Sequence, residues 1–537
     1  MNKERFLNRN ELTLLVSLFT VALLVRLYFI PFYRVISADG VGYVSAARNL
    51  INGNFAPLTT YGVIYPSLTA MVSLLGVDTE SAGRLVSAVM GSLLIFPLYL
   101  LARDFFERSV GIIACILVIA WPPLRSWACE VMTQATYITL LVTWYWLLWQ
   151  AFRRGSGRWA LVAGAVAGLS YLTRPESLVA FAFMAPVLLL PCGGTRSVKK
   201  RLLLISVCAG SFILMLLPFV LLVHNVTGQW QLTGKGGATL ADALSEYLGR
   251  PDLKNEPGFK GIGFLEVIRS YPDFLWINLS QNLIKVFQTM VPLYMWIAVV
   301  TGFFWGRWKR EQITRRVYLL ASFAPFGIIV VFFFVGPEYL QPYLPVLFLW
   351  VGNGLYSAEL WLSGLFTANS GLSKYMAWAP VSIIAVSLLT LYTFAAQIPA
   401  DRNKPYQFED DGGRYDQRRI GELLKKHLPP GAKIMTRWGR ISFYAEMENV
   451  GMPQTDLKEM VSTARQKGAR YIIIDGMLAG MRPQFELLFL PLFNAPASIF
   501  STAPRDGDSF TPLAGVRLHL LYKDPSSVGV AVYEVTP

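Results

Sequence analysis

Residues 12–33 read LTLLVSLFTVALLVRLYFIPFY, apolar apart from Arg26 and a few hydroxyls. As a helix, a run of this length crosses the ~30 Å hydrocarbon core of a bilayer. It is about twice the usual length of a signal-peptide core, and Ile36-Ser37-Ala38 is a weak cleavage site, so the run is expected to stay as a span. Composition extends the reading to the whole chain. At 54% hydrophobic and 14% aromatic over 537 residues, with a mean hydropathy of +0.44, the chain is greasier than a soluble core requires. This composition predicts a polytopic all-α membrane protein.

Further runs fall near 82–102, 109–123, 131–151, 159–173, 175–191, 202–223, 279–303, 317–335, 342–362 and 376–396. With the first, they give about eleven spans. The net charge of +14 would suggest nucleic acid in a soluble chain, but the basic residues gather in alternate short loops. These are Lys3, Arg5 and Arg9; Arg103 and Arg108; Arg153, Arg154 and Arg158; Arg196, Lys199, Lys200 and Arg201; and Arg307, Lys309, Arg310, Arg315 and Arg316. Such alternation is the positive-inside bias of a membrane protein. It reports orientation, and no nucleic-acid partner follows. The outer face then receives residues 34–81, the 122–130 turn, 224–278 and everything after about 397. The expected organisation is a transmembrane domain, 1–396, with outer loops 34–81 and 224–278, and an extracytoplasmic domain, 397–537.

Cys115, Cys129, Cys192 and Cys208 are spread over spans and opposite faces, and His224, His427 and His519 are scattered. Neither a disulfide framework nor a zinc site follows. The last segment alternates helix and strand patterns: a helix over 418–428, a strand over 432–435, a helix over 457–467 and a buried strand over 470–475. This predicts a small α/β unit. It carries no nucleophile or phosphate-loop signature, which favours a structural or acceptor-contacting role.

The first outer loop is the most informative stretch. Tyr43 to Ile51 reads as a short surface helix stopped by Asn52-Gly53. Asp39, in Ala38-Asp39-Gly40-Val41-Gly42-Tyr43, precedes it, where a carboxylate can cap a helix start. By charge topology Asp39, Glu130 and Arg174 share the outer face.

The order of motifs resembles the membrane glycosyltransferases of the C superfamily (GT-C fold), in the family 39-like branch of protein O-mannosyltransferases and lipid A aminoarabinose transferases. The matching residues begin with Asp39, Tyr43 and Ala47-Arg48-Asn49, then Tyr65-Pro66. Glu80 to Ala88 follows, running into Tyr99 to Asp104, then Trp121-Pro122-Pro123 with Glu130 behind it. Gly168 to Glu176 and Glu338-Tyr339-Leu340-Gln341-Pro342-Tyr343-Leu344-Pro345 complete the series, which covers about residues 12–360.

The resemblance implies a polyprenyl-phosphate sugar as donor and transfer to an acceptor hydroxyl outside the cytoplasm, with inversion and without cofactor. The acceptor is a lipid, polysaccharide or protein. An alcohol is a weak nucleophile, so a carboxylate should take its proton, and Asp39 matches the family's first-loop acid. The leaving lipid phosphate gains charge as the bond breaks, which a guanidinium meets with two donors. Arg174, in Thr173-Arg174-Pro175-Glu176, fits that role; the competing reading pairs it with Glu176 or Glu130 as a helix tie. Glu130 either orients the acceptor and Asp39 or favours a helix N-terminus. Lys235, in a Gly-rich outer loop without phosphate-loop order, either folds over the donor phosphate or is a solvated loop residue. Arg34 is read as a substrate contact or an interfacial anchor, and Arg26 as a snorkelling interfacial residue. Tyr339 and Tyr343 belong to an interfacial belt or to the lipid groove.

The chain also departs from the family. Glu338 stands where many relatives carry a basic residue. Arg174-Pro175 replaces the lysine-glycine pair of the aminoarabinose transferases, which argues against that sugar. Gly40 follows Asp39 where a second acid would make a carboxylate pair, so metal-independent catalysis is expected. A transporter or flippase of lipid-linked sugars is the competing class, but no repeated halves with interrupted helices are evident. Compact loops without eukaryotic targeting signals suggest a bacterial inner membrane, with the C-terminal domain periplasmic.

Overall fold

The computed structural model describes residues 8–187, 189, 197–232, 238–249, 263–305, 310–332, 337–366, 382–383, 385–387, 389, 414–453, 455–476, 478, 485, 488, 509–513, 516–524 and 529–535. The chain divides into two compact units, residues 1–31 with 43–402 and residues 32–42 with 403–537. The start of the first outer loop therefore groups with the C-terminal residues.

The first unit is helical. Its opening helices are α1 (Arg9–Phe29), α2 (Ala38–Ile51, which begins in the other unit), α3 (Leu58–Tyr61), α4 (Ile64–Ser73), α5 (Thr79–Leu93) and α6 (Ile95–Phe105). There follow α7 (Arg108–Ala120), α8 (Pro122–Trp127), α9 (Gln134–Arg154), α10 (Gly157–Thr173), α11 (Ser177–Val187) and α12 (Val198–Thr227). Local chemistry sets several ends. Asn8 caps α1 in a reciprocal box with Glu11, their backbone N–H groups donating to each other's side chains at 2.8 and 3.1 Å. Asp78 caps α5 by accepting from the Ser81 N–H at 3.0 Å. α9 stops at Gly155, whose φ of 60° is the left-handed C-cap conformation.

Every expected span up to 342–362 coincides with a helix or a broken pair of helices; 376–396 lies mostly outside the described residues. The run 279–303 departs from a straight span. Pro272–Thr289 and Leu293–Phe304 form a pair bent by 100°, because Pro292 supplies no N–H and pushes Val291 out of the helical region. Among the described residues, four helices are long and apolar enough to cross a membrane, or five if the bent pair is one span. Their lipid-side character is plain on α12, where Leu202, Leu203, Ile213, Leu214 and Leu217 are exposed. The inner face of α12 packs closely on α10: a Cβ on Gly164 would lie 2.1 Å from the Cys208 carbonyl oxygen, and one on Gly168 2.5 Å from the Met215 Cβ. Gly164 and Gly168 are a small-residue pair four apart, which lets two membrane helices touch backbone to backbone.

Arg26 does not snorkel. It is 1% exposed, and its Nη1 donates to the Ala22 carbonyl of its own helix at 2.9 Å, because α5 and α9 cover that face of α1 and Gly91 leaves room for the guanidinium beside Ala128 and Ala135.

The second unit is an α/β layer. Its six-stranded sheet has the order β2-β1-β3-β6-β5-β4, where β1 is Lys433–Met435, β2 Glu448–Asn449, β3 Tyr471–Asp475, β4 Ser509–Leu513, β5 Val516–Asp524 and β6 Val530–Val535. The β1, β2 and β3 pairings are parallel; those of β3, β6, β5 and β4 are antiparallel. Among the described residues, the unit also contains helices Arg414–His427, Gly439–Ala445 and Leu457–Gln466. The expected helices and strands stand close to their anticipated places, with the antiparallel half added. Residues 33–37 belong to this unit. The Ile36 N–H donates to the Tyr444 hydroxyl at 2.8 Å, Arg440 Nε donates to the Ile36 carbonyl at 2.9 Å, and Arg418 donates to the Arg34 carbonyl.

Candidate active site

Pro175 determines how Arg174 is presented. A residue before proline is driven from the helical region, and Arg174 is extended at φ −148° and ψ 127°, ending α10 at Thr173. The Arg174 N–H still donates to the Ser170 carbonyl at 2.9 Å, and the Ser170 and Ser177 hydroxyls meet at 2.7 Å across the turn. Gly62, at φ 73°, lies against the same helix end, where a Cβ would sit 2.9 Å from the Leu172 carbonyl oxygen. The Val63 N–H donates to that carbonyl at 2.8 Å. The guanidinium thus projects from a pinned, rigid helix end.

Glu176 meets it at once. Arg174 Nη2 and Nε lie 2.9 and 3.3 Å from the same Glu176 oxygen, Oε1. This decides between the two expected carboxylate partners, since Glu176 is the acidic group acting on Arg174 among the described residues. The pair sits in the turn between α10 and α11. Around it stand aromatic faces: the guanidinium carbon is 5.8 Å from the Tyr137 ring and 5.9 Å from the Tyr339 ring. Burial favours a neutral guanidinium, but Glu176, Tyr43 and Tyr137 together outweigh it and hold Arg174 above the ordinary arginine value.

Tyr343 is buried and within electrostatic reach of Tyr137, Glu176 and Arg174. Tyr43 places its hydroxyl 3.4 Å from that of Thr133, and its ring packs edge-on against Tyr61 and Tyr65 at 5.7 and 5.5 Å. Tyr65 is anchored in turn by its hydroxyl, 2.9 Å from both the Gly83 carbonyl and the Ser87 hydroxyl. Of the residues expected at the site, the structure brings together Tyr43, Arg174, Glu176, Tyr339 and Tyr343. Tyr137 was not anticipated; its one signal was a tyrosine in the first turn of an otherwise apolar span.

The remaining expected residues stand as follows. Glu130 lies in the turn between α8 and α9, its N–H donating to the Ser126 carbonyl at 3.1 Å, so it does not begin the fourth span, which starts at Gln134. Asp39 and Arg34 belong to the second unit, and both are exposed. Asp39 is not the helix cap. α2 starts earlier than the pattern suggested, at Ala38, because the Ser37 hydroxyl accepts the Gly40 N–H at 2.9 Å. That leaves the Asp39 carboxylate in the first turn with no hydrogen bond or ion pair among the described residues. Lys235 lies outside the described residues.

Comparison with known proteins follows the same line. A sequence model of the family described as dolichyl-phosphate-mannose-protein mannosyltransferase matches residues 63–221. No curated protein matches. Among solved structures, the chain is similar to ArnT from Cupriavidus metallidurans bound to undecaprenyl phosphate, with a TM-score of 0.56 and 13% identity over 96% of this chain and 97% of that one. It is also similar to the Archaeoglobus fulgidus oligosaccharyltransferase in the apo form, at 0.57 and 14% over 86% and 70%. The oligosaccharyltransferase AglB of the same organism, in complex with an inhibitory peptide and a dolichol-phosphate, gives 0.55 and 13% over 88% and 70%. Residues 63–221 carry the sequence pattern of that mannosyltransferase family, and the chain has the fold of the GT-C membrane glycosyltransferases.

Proposed function

We propose that the protein transfers a sugar from a polyprenyl phosphate to an acceptor hydroxyl at the outer face of a bacterial inner membrane. The observation that carries this reading is Arg174, a rigidly presented guanidinium charge-matched to a single carboxylate and walled by tyrosines. A lipid phosphate offers pairs of oxygens that the planar guanidinium fork can meet with two donors, and the similar ArnT and AglB structures hold undecaprenyl phosphate and dolichol-phosphate.

In the proposed reaction the acceptor oxygen attacks the anomeric carbon, and the bond from that carbon to the phosphate oxygen breaks. The donor diester, with one negative charge, leaves as a lipid monophosphate with two, and the acceptor proton passes to Asp39. Arg174 stabilises the added charge. The tyrosines supply flat faces and hydroxyls for the sugar, Glu130 orients the acceptor, and Lys235 and Arg34 add cationic contacts to the donor. Attack from the side opposite the phosphate inverts the anomeric centre, and no step requires a metal. The acceptor is a lipid, a polysaccharide or a protein.

The test uses the full chain in nanodiscs with radiolabelled undecaprenyl-phosphate sugars and envelope acceptors. Release of undecaprenyl phosphate coupled to a labelled acceptor is expected, and Asp39→Asn should lower kcat by ~10²–10⁴ while donor affinity is kept. Movement of intact donor between leaflets with no bond broken would replace this reading with a flippase.

A further inference from the structure

Two buried amides lie on the elements that carry the tyrosines of the Arg174 cluster, and each has a side-chain atom without a hydrogen-bond partner among the described residues. Gln341 is 2% exposed, and neither its Oε1 nor its Nε2 has a hydrogen-bond partner among the described residues. It lies in the tight turn Gln341–Tyr343, between Tyr343 and Tyr339, whose ring lies against the guanidinium. Gln134 is also 2% exposed, and its Oε1 has no partner among the described residues. It opens α9 one helical turn before Tyr137 and so shares that helix face. The Gln341 turn packs against α9. A buried amide left unpaired is costly, and native proteins keep few of them. Here two stand on the elements that carry the tyrosines around one cation.

Sugar hydroxyls both donate and accept, and a primary amide offers the matching donor and acceptor on one rigid plane. We propose that Gln341, with Gln134 beside it, reads the hydroxyls of the transferred sugar and determines which donor is accepted. This rests on the reading of Arg174 as the contact for the donor phosphate. The phosphate then fixes where the lipid carrier sits, and the amides choose among the sugars it bears. A site with buried polar groups discriminates because the wrong sugar leaves them unpaired.

The experiment compares bare undecaprenyl phosphate with undecaprenyl phosphate carrying glucose, galactose, mannose or arabinofuranose, using full-length protein in nanodiscs. Gln341→Met should bind the bare lipid phosphate as the wild type does. It should lose about 10- to 100-fold in kcat/KM on the sugar the wild type prefers and flatten the preference among the four. Its Tm without substrate should hold or rise, since methionine fills the space without an amide. Gln134→Met should give a weaker form of the same pattern. The inference is overturned if either variant keeps the full sugar preference, or if the variants unfold or lose Tm and bare-lipid binding together, which is the signature of structural amides. A wild type that neither binds the bare lipid nor turns over any of the four donors would instead refute the donor class itself.

Discussion

Arg174 keeps its charge against burial because Glu176 sits two residues along the same turn. That places the carboxylate where it competes with an incoming phosphate, so it acts as an internal stand-in for the leaving group. Glu176→Gln is therefore expected to tighten binding of undecaprenyl phosphate by about 3- to 10-fold, the range for weakening one partly exposed ion pair. Titration calorimetry would measure this, and weaker binding would show that Glu176 only braces the turn. Losing the carboxylate removes the influence that raises the Arg174 pKa, but an arginine stays protonated at every pH an enzyme tolerates. The shape of the pH–rate profile should be unchanged by this substitution. The pair itself was legible in Thr173-Arg174-Pro175-Glu176, because Pro175 dictates an extended Arg174 and adjacent opposite charges find each other locally. The ring of tyrosines was only partly legible. Tyr137, Tyr339 and Tyr43 are far apart in sequence, and only tertiary packing brings them to one cation.

Among the helices, the contact between α10 and α12 is one of the most demanding, since Gly164 brings its backbone against the Cys208 carbonyl. A main-chain oxygen cannot rotate away as a side chain can. Gly164→Leu should destabilise the bundle by about 3 kcal/mol or more, seen as a lower Tm in detergent. Gly210→Leu on α12 should be nearly neutral, because a Cβ there meets nothing within 4 Å. Equal tolerance of both would mean that α10 and α12 do not pack through Gly164. Apolar length located the helices well, because a bilayer demands about 20 residues of helix whatever the neighbours are. It could not locate bends such as the one at Pro292, where the competing signal was a single residue inside a long greasy run. It also missed the true start of α2, where a serine hydroxyl two residues earlier took the capping role that an acidic side chain was expected to play.

Over the whole chain, the unexpected feature is that residues 32–42 group with residues from 403 onward. Alternating hydropathy marks spans and outer loops, but it carries no information about which distant segment a loop will pair with. The bonds that make the grouping are specific. Arg440 is 9% exposed, and it joins the Ile36 carbonyl at 2.9 Å to Gln417 Oε1 at 3.0 Å. Both bonds use a charged donor, and both acceptors would be left buried without it. Arg440→Ala should therefore destabilise the C-terminal unit by on the order of 3 kcal/mol, whereas exposed Lys425→Ala, which removes a surface pair with Glu446, should change it by less than about 1 kcal/mol. Limited proteolysis of the full chain reads the difference as faster cutting within 414–535 for the first variant alone. The same bonds predict that residues 403–537 expressed without 32–42 are cut faster than in the full chain, and that adding a peptide of residues 30–44 slows the cutting. Equal resistance with and without that peptide would show that the C-terminal unit does not need the first-loop segment.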